Sequence, residues 1–145
     1  MMTLLSLTMA AVLLAIAAVH LAWGLGMTWP GHDRQSLIDT VIGHPEVTRM
    51  PGFGLCLAVT LALVAAAFWA LWAAELLPLS DASVWGLSVR ATGLWVLVAV
   101  FLGRGIATYV PSPLAAAVEP FRTLDRRVYA PLCIALGGGF LLLAL

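Results

Sequence analysis

The sequence predicts an all-α fold, a transmembrane four-helix bundle that forms a single membrane domain. Its composition is 63% hydrophobic and only 10% charged, which is more apolar than a soluble domain of this size can bury in one core. Four apolar segments are each long enough to cross a bilayer, since a crossing takes about 20 residues as a helix. Backbone groups in lipid must pair within their own segment, which favours helices. The predicted helices span about residues 4–27, 53–77, 85–109 and 125–145.

The first helix is expected to be retained rather than cleaved as a secretory signal, because no Lys or Arg precedes its apolar run. The connection that follows, residues 28–52, contains Asp33 and Gly43, which are typical of the start and the end of a short helix. The apolar residues that would share one face of this helix, as in a helix at a membrane surface, are Leu37, Ile38, Val41 and Ile42.

The later connections differ in character. Residues 78–84 form a tight hairpin between the second and third helices, and residues 110–123 hold three prolines and a short apolar run, residues 114–118. Pro131 lies close to the start of the fourth helix. It either begins the regular helix or kinks it, because proline removes one backbone hydrogen bond.

Arginine placement predicts the orientation. Five of the seven arginines lie in or beside the first and third connections, whereas Arg90 alone lies near the opposite ends of the helices. By the positive-inside rule, both long connections are cytoplasmic and both termini lie on the non-cytoplasmic side. Tryptophan and tyrosine residues near the predicted boundaries agree with this assignment.

Ionisable groups inside the apolar segments need an explanation, because each costs roughly 2.5–3.5 kcal/mol on insertion scales. Glu75 and Arg90 lie at similar depth and predict a structural ion pair between the second and third helices. A candidate ligand-binding cluster in the cytoplasmic half contains His20, Trp23, Arg104, Asp125, Tyr129 and Cys133. These residues either hold the bundle together or line a pocket in which Arg104 and His20 bind an anionic or carbonyl head group oriented by Tyr129.

No metal site and no cofactor are predicted, although haem ligation by His20 with His44, and quinone binding, stay open. Cys56 and Cys133 are more typical of buried thiols than of a redox pair, since they lack a C-x-x-C arrangement. The formal charge is zero, with no basic stripe, so nucleic-acid binding is not expected. Three consecutive glycines, residues 137–139, favour close helix packing within or between chains.

Two sequence patterns resemble those of a known family. They are His20-Leu21-Ala22-Trp23 followed by glycine, and D-x-x-x-Y-x-P-L-C from Asp125 to Cys133, which is the more specific of the two. With an arginine late in the third helix, they resemble a widespread family of small bacterial four-helix membrane proteins known only as a domain of unknown function. The resemblance spans nearly the whole chain and implies no activity. It agrees with a multi-pass protein of the bacterial cytoplasmic (inner) membrane and with the choice of site residues.

Three functions are compatible with these observations. The favoured one is a non-catalytic accessory or lipid-like-ligand-binding module, because the sequence has no catalytic triad, metal motif or nucleotide loop. The second is a small enzyme acting on a lipid, quinone or isoprenoid-like substrate, with His20 or Asp125 as the acid–base group and Arg104 as the electrophilic anchor. The third is an oligomeric transporter or channel. The expected partners are the lipid bilayer, a lipid-like small molecule, and further copies of the chain or a larger membrane complex.

Overall fold

The structure, a computed structural model, describes residues 1–110 and 117–145. Its four long helices are each long and apolar enough to cross a membrane, which confirms the predicted all-α bundle of a multi-pass membrane protein. Part of the apolar run predicted in the third connection, residues 114–116, lies outside the described residues. The helices are α1 (Met2–Gly24), α2 (Arg34–Val41), α3 (Phe53–Ala73), α4 (Val89–Ala107), α5 (Phe121–Leu124) and α6 (Ala130–Ala144).

The fourth crossing is built from three pieces. Helix α5 continues directly into one π-helical turn, Asp125–Tyr129, and this turn continues into α6. Together they form one apolar span, Phe121–Ala144. Helices α3 and α4 are connected by a two-stranded antiparallel hairpin of β1 (Ser83–Val84) and β2 (Leu87–Ser88).

Three long helices have boundaries that differ from the predicted ones by a few residues, each where the backbone turns. Helix α1 ends at Gly24 because Gly26 adopts a left-handed conformation, with φ of 100°. Helix α3 ends at Ala73, and Glu75 is left-handed there (φ 58°). Helix α4 begins at Val89 rather than near residue 85, because Trp85 and the following glycine both have positive φ and form the hairpin turn.

The long helices pack as two pairs. Helix α1 packs mainly against α3, and α4 mainly against α6. Glycines allow the second pair to approach closely: a Cβ on Gly105 would lie 2.6 Å from Ile134 Cγ1, and one on Gly137 would lie 2.7 Å from Leu102. The two pairs meet in a shared core whose most buried members include Leu13, Ala70 and Phe140. We call the end of the bundle where α1 connects to α3 the loop end, and the end with β1 and β2 the hairpin end.

The short helix α2 confirms the predicted cap residues. The Asp33 carboxylate accepts a hydrogen bond from the Ser36 amide at 2.8 Å, and the Asp33 amide donates to the Ser36 hydroxyl at 3.0 Å. The helix ends before Gly43, which has a φ of 61°. Leu37 and Ile38 are only 1% and 2% exposed, so the apolar face of α2 packs against the rest of the chain instead of facing lipid.

Helix α2 is fastened to the start of the fourth crossing. The Gly43 carbonyl accepts a hydrogen bond from the Val118 amide at 2.8 Å, and Gly43 lies so close to Phe121 that any Cβ there would clash with the ring. Helix α2 follows α1 in the chain but contacts the start of the fourth crossing, which packs against α4. It therefore bridges the two helix pairs at the loop end.

Candidate functional site

An ion pair between α4 and the fourth crossing is the centre of the polar residues at the loop end. Arg104 Nη2 lies 2.6 Å from Asp125 Oδ1. Thr108 completes the group, because its hydroxyl accepts from Arg104 Nη1 at 2.7 Å and donates to Asp125 Oδ2 at 2.9 Å. The Asp125 side chain is 12% exposed and that of Arg104 is 45% exposed. Both carboxylate oxygens are thus paired, and part of the guanidinium faces outward.

Asp125 is the first residue of the π-helical turn. The Ala130 amide donates to the Asp125 carbonyl, five residues earlier, instead of to residue 126. Pro131 explains this widening, because a proline ring collides with the carbonyl four residues before it in a regular α-helix. Regular α-helix resumes with α6, in which Pro131 is the second residue.

The same proline leaves one carbonyl without its helical donor. In the i to i+5 pattern of the turn, the Arg126 carbonyl would pair with the amide of residue 131, and proline has none. The Tyr109 hydroxyl takes this place and donates to the Arg126 carbonyl at 2.7 Å. Tyr109 and Thr108, neighbours at the end of α4, therefore both bind the π-helical turn. Neither belongs to the predicted cluster, although Thr108 lies four residues after Arg104 and so on the same helix face.

Tyr129 contacts α2 and the start of the fourth crossing. Its hydroxyl donates to the Thr40 carbonyl of α2 at 3.3 Å, and its ring lies 6.0 Å from that of Phe121. Among the described residues it forms no hydrogen bond with Arg104. Tyr129 therefore connects α2 to the fourth crossing.

His20 and Trp23 form a second group, on α1. His20 Nδ1 lies 2.9 Å from the Ile16 carbonyl, and because a carbonyl only accepts, Nδ1 is the donor in this hydrogen bond. The His20 and Trp23 rings lie 4.9 Å apart. Within the described residues no hydrogen bond connects His20 to Arg104 or Asp125. The predicted cluster is thus divided between the α1 side and the α4–α6 side.

An apolar groove of about 210 Å³ lies beside this second group. One wall is a face of α1, and the other is the chain that leaves α1 at the loop end. Trp29 is held in this second wall because its carbonyl accepts a hydrogen bond from Trp23 Nε1 at 2.7 Å. The residues that line the groove are Ala18, Val19, Ala22, Trp23, Met27 and Trp29.

The two cysteines are free thiols in this structure. Cys56 is buried beside the loop end of α1, so close that a Cβ added to Gly24 would lie 3.0 Å from the Cβ of Cys56. Cys133 is half-buried on α6. In the part of the chain that the structure describes, no three His, Cys, Asp or Glu side chains come together as a metal site.

The hairpin end carries three charged residues, Glu75, Asp81 and Arg90. Arg90 Nη1 lies 3.8 Å from Glu75 Oε1, and the Glu75 side chain is 84% exposed. The Asp81 carboxylate accepts hydrogen bonds from the Ser88 hydroxyl and from the Arg90 amide, which lower the pKa of this carboxyl. These contacts join the hairpin to the start of α4.

Comparison with known proteins assigns no activity. A family model described as a protein of unknown function (DUF3995) matches residues 13–140, which confirms the resemblance seen in the sequence. No curated protein and no solved structure matches the chain. The matched region includes all six residues of the predicted cluster, from His20 to Cys133.

Proposed function

We propose that this chain, which belongs to the DUF3995 family of proteins of unknown function, is a non-catalytic membrane module that binds one lipid-like molecule at its loop end. The observation that carries the proposal is the apolar groove between α1 and the chain that follows it. Small side chains on α1, Ala18 and Ala22, open the groove, while Trp23 and Trp29 bound it. An apolar groove at the end of a membrane helix suits a hydrocarbon chain that enters from the bilayer.

The groove is formed by the chain itself, so a ligand need not organise it. Gly26 reverses the chain after α1, and the hydrogen bond from Trp23 Nε1 fixes Trp29 opposite the helix. Preorganisation of this kind lowers the entropic cost of binding. Its volume of about 210 Å³ is smaller than the roughly 300–1,000 Å³ of pockets that enclose a drug-sized ligand. The groove therefore fits part of one chain, with the rest of the molecule in the surrounding lipid.

In this proposal the Arg104 and Asp125 pair is structural. Each charge is already satisfied, since Asp125 accepts from both Arg104 and Thr108. A paired arginine and carboxylate leave little charge for an anionic head group or for acid–base chemistry. The pair instead holds α4 against the fourth crossing, at the end of the bundle where the groove lies. Of the six predicted residues, Trp23 lines the ligand site and His20 packs against it.

The loop end is proposed to face the cytoplasm of a bacterial cell, with both termini on the other side of the inner membrane. The support is the charge distribution, because exposed arginines concentrate at this end, as the positive-inside rule requires of cytoplasmic segments. These exposed arginines are Arg34, Arg49, Arg122, Arg126 and Arg127.

The test is purification in a mild detergent followed by mass spectrometry of the molecules that remain bound. The wild-type chain is expected to retain about one lipid-like molecule per chain. Ala22→Leu fills the groove and is expected to remove most of it. Ala62→Leu is the matched control, because Ala62 is exposed on α3 and its substitution adds the same side chain outside the groove. Circular dichroism checks that both variants keep their helices. An unchanged complement of bound molecules in Ala22→Leu, or a haem absorption band in the wild type, would contradict the proposal.

A further inference from the structure

We infer that the ligand of the groove is an anionic phospholipid, with one acyl chain between Trp23 and Trp29 and its phosphate on the guanidinium of Arg34. The inference rests on the proposed function, because it names the ligand class of the same groove.

Arg34 lies at the rim of the groove. A Cβ on Gly26 would lie 3.5 Å from Arg34 Nη2, so the guanidinium lies over the backbone at Gly26. Gly26 directly precedes Met27, which lines the groove. The positively charged guanidinium therefore lies next to the apolar groove. A molecule with a charged head group and a hydrocarbon tail requires this arrangement.

The position of Arg34 along the bundle fits a head group rather than a hydrocarbon tail. Helix α1 ends at Gly24, and Arg34 is the first residue of α2, in the connection beyond that end. The apolar residues of the groove belong mainly to the last turns of α1, on the membrane side of Gly26. From the bilayer outward, the apolar wall of α1 therefore comes first, the turn at Gly26 second and Arg34 last.

Arg34 has no acidic partner among the described residues, whose ion pairs are those of Arg90 with Glu75 and of Arg104 with Asp125. The carboxylate of the neighbouring Asp33 already caps α2, because it accepts a hydrogen bond from the Ser36 amide. An exposed guanidinium offers several N–H donors in a planar fork that matches the oxygens of a phosphate. Charge complementarity therefore favours an anionic head group over a zwitterionic one.

The experiment measures lipid binding by native mass spectrometry of the full chain in detergent micelles. The two probe lipids are phosphatidylglycerol and phosphatidylcholine with identical acyl chains, so that only the head group differs. We expect the wild-type chain to bind phosphatidylglycerol about fivefold more tightly, the effect of one arginine near an anionic group. Arg34→Gln is expected to abolish this preference. Arg49→Gln, the same change at another exposed arginine of this connection, is expected to keep it.

The outcomes separate this inference from the proposed function. Equal binding of both lipids by the wild-type chain, or an unchanged preference in Arg34→Gln, would overturn the assignment of the head group. If Ala22→Leu still releases both lipids in that case, the groove remains a lipid site whose head group Arg34 does not select. If Ala22→Leu binds both lipids as the wild type does, the groove is not the site, and the proposed function fails together with the inference. Loss of the preference in both Arg34→Gln and Arg49→Gln would show that the preference depends on the overall positive charge of this connection. That result would also overturn the specific role of Arg34.

Discussion

Removing either partner of the Arg104 and Asp125 ion pair is expected to destabilise the bundle unequally. Arg104→Leu leaves a carboxylate whose side chain is 12% exposed, with Thr108 as its remaining donor in the group. Asp125→Leu leaves an arginine whose side chain is 45% exposed and whose guanidinium is still bonded to Thr108. A half-exposed arginine turns its charge toward water or head groups on its flexible stem, whereas a buried carboxylate has no such freedom.

The magnitudes follow from this asymmetry. Breaking a fully buried pair costs about 3–5 kcal/mol, and the partial exposure of Arg104 lowers the expected cost of Arg104→Leu to about 2–3 kcal/mol. Asp125→Leu is expected to cost about 1 kcal/mol, because Arg104 keeps its access to solvent. The double variant removes both charges and leaves an unpaired Thr108 hydroxyl, a loss of about 1 kcal/mol. It should therefore be more stable than Arg104→Leu alone, with a coupling of about 2–3 kcal/mol.

The assay is reversible unfolding in mixed micelles of a mild detergent and sodium dodecyl sulfate, followed by circular dichroism. Arg127→Leu provides the control, because Arg127 is exposed on the same π-helical turn, and a change within about 0.5 kcal/mol is expected there. Two results would refute the reasoning. One is additivity of the two single changes in the double variant, and the other is a larger loss for Asp125→Leu than for Arg104→Leu.

Four further predictions concern the ends of the bundle. Tyr109→Phe should lower the free energy of unfolding by about 1 kcal/mol. The change removes the hydroxyl that donates to the Arg126 carbonyl, which has no other side-chain donor in the described structure. An unchanged free energy of unfolding in mixed micelles would contradict this role. Glu75→Gly should stabilise the chain by roughly 1 kcal/mol, because glycine adopts the positive φ at this position without strain and the long, exposed ion pair contributes little; a loss in thermal unfolding would show that the pair matters more. Because the pKa of Asp81 is lowered in the folded chain, its carboxylate stabilises the hairpin fully at pH values above the unfolded pKa of about 3.9. This stabilisation is lost as the pH falls through the lower pKa of the folded state, and the hairpin amides should then exchange hydrogen faster. Asp81→Asn should remove this pH dependence. In a cysteine-free background, a cysteine at Ser83 should react with an impermeant maleimide from outside intact cells and one at Gln35 should not; the reverse pattern would invert the proposed orientation.

The sequence predicts that Arg104 and Asp125 lie close together because depth in a membrane follows from position along a helix. Arg104 and Asp125 lie at similar distances from the ends of neighbouring antiparallel helices, and the structure brings them together at 2.6 Å. Depth does not specify which way a side chain points around the helix axis. His20 has a similar depth but bonds to its own helix, and Tyr129 contacts α2 instead of Arg104. The π-helical turn adds a further rotation that a regular helical period does not include.

By itself, the sequence determined that this protein has four membrane-spanning helices and a capped short helix between the first two. These features depend on local chemistry, namely the length of apolar runs and residues such as Asp33 and Gly43 at helix ends. Only the tertiary structure decided that α1 pairs with α3 and α4 with α6, and that α2 bridges the pairs. It also decided that a groove lies between Trp23 and Trp29. The physical reason is that apolar helices are equally compatible with lipid on every side, so their rotation and partners are set by close contacts such as that of Gly105 with Ile134.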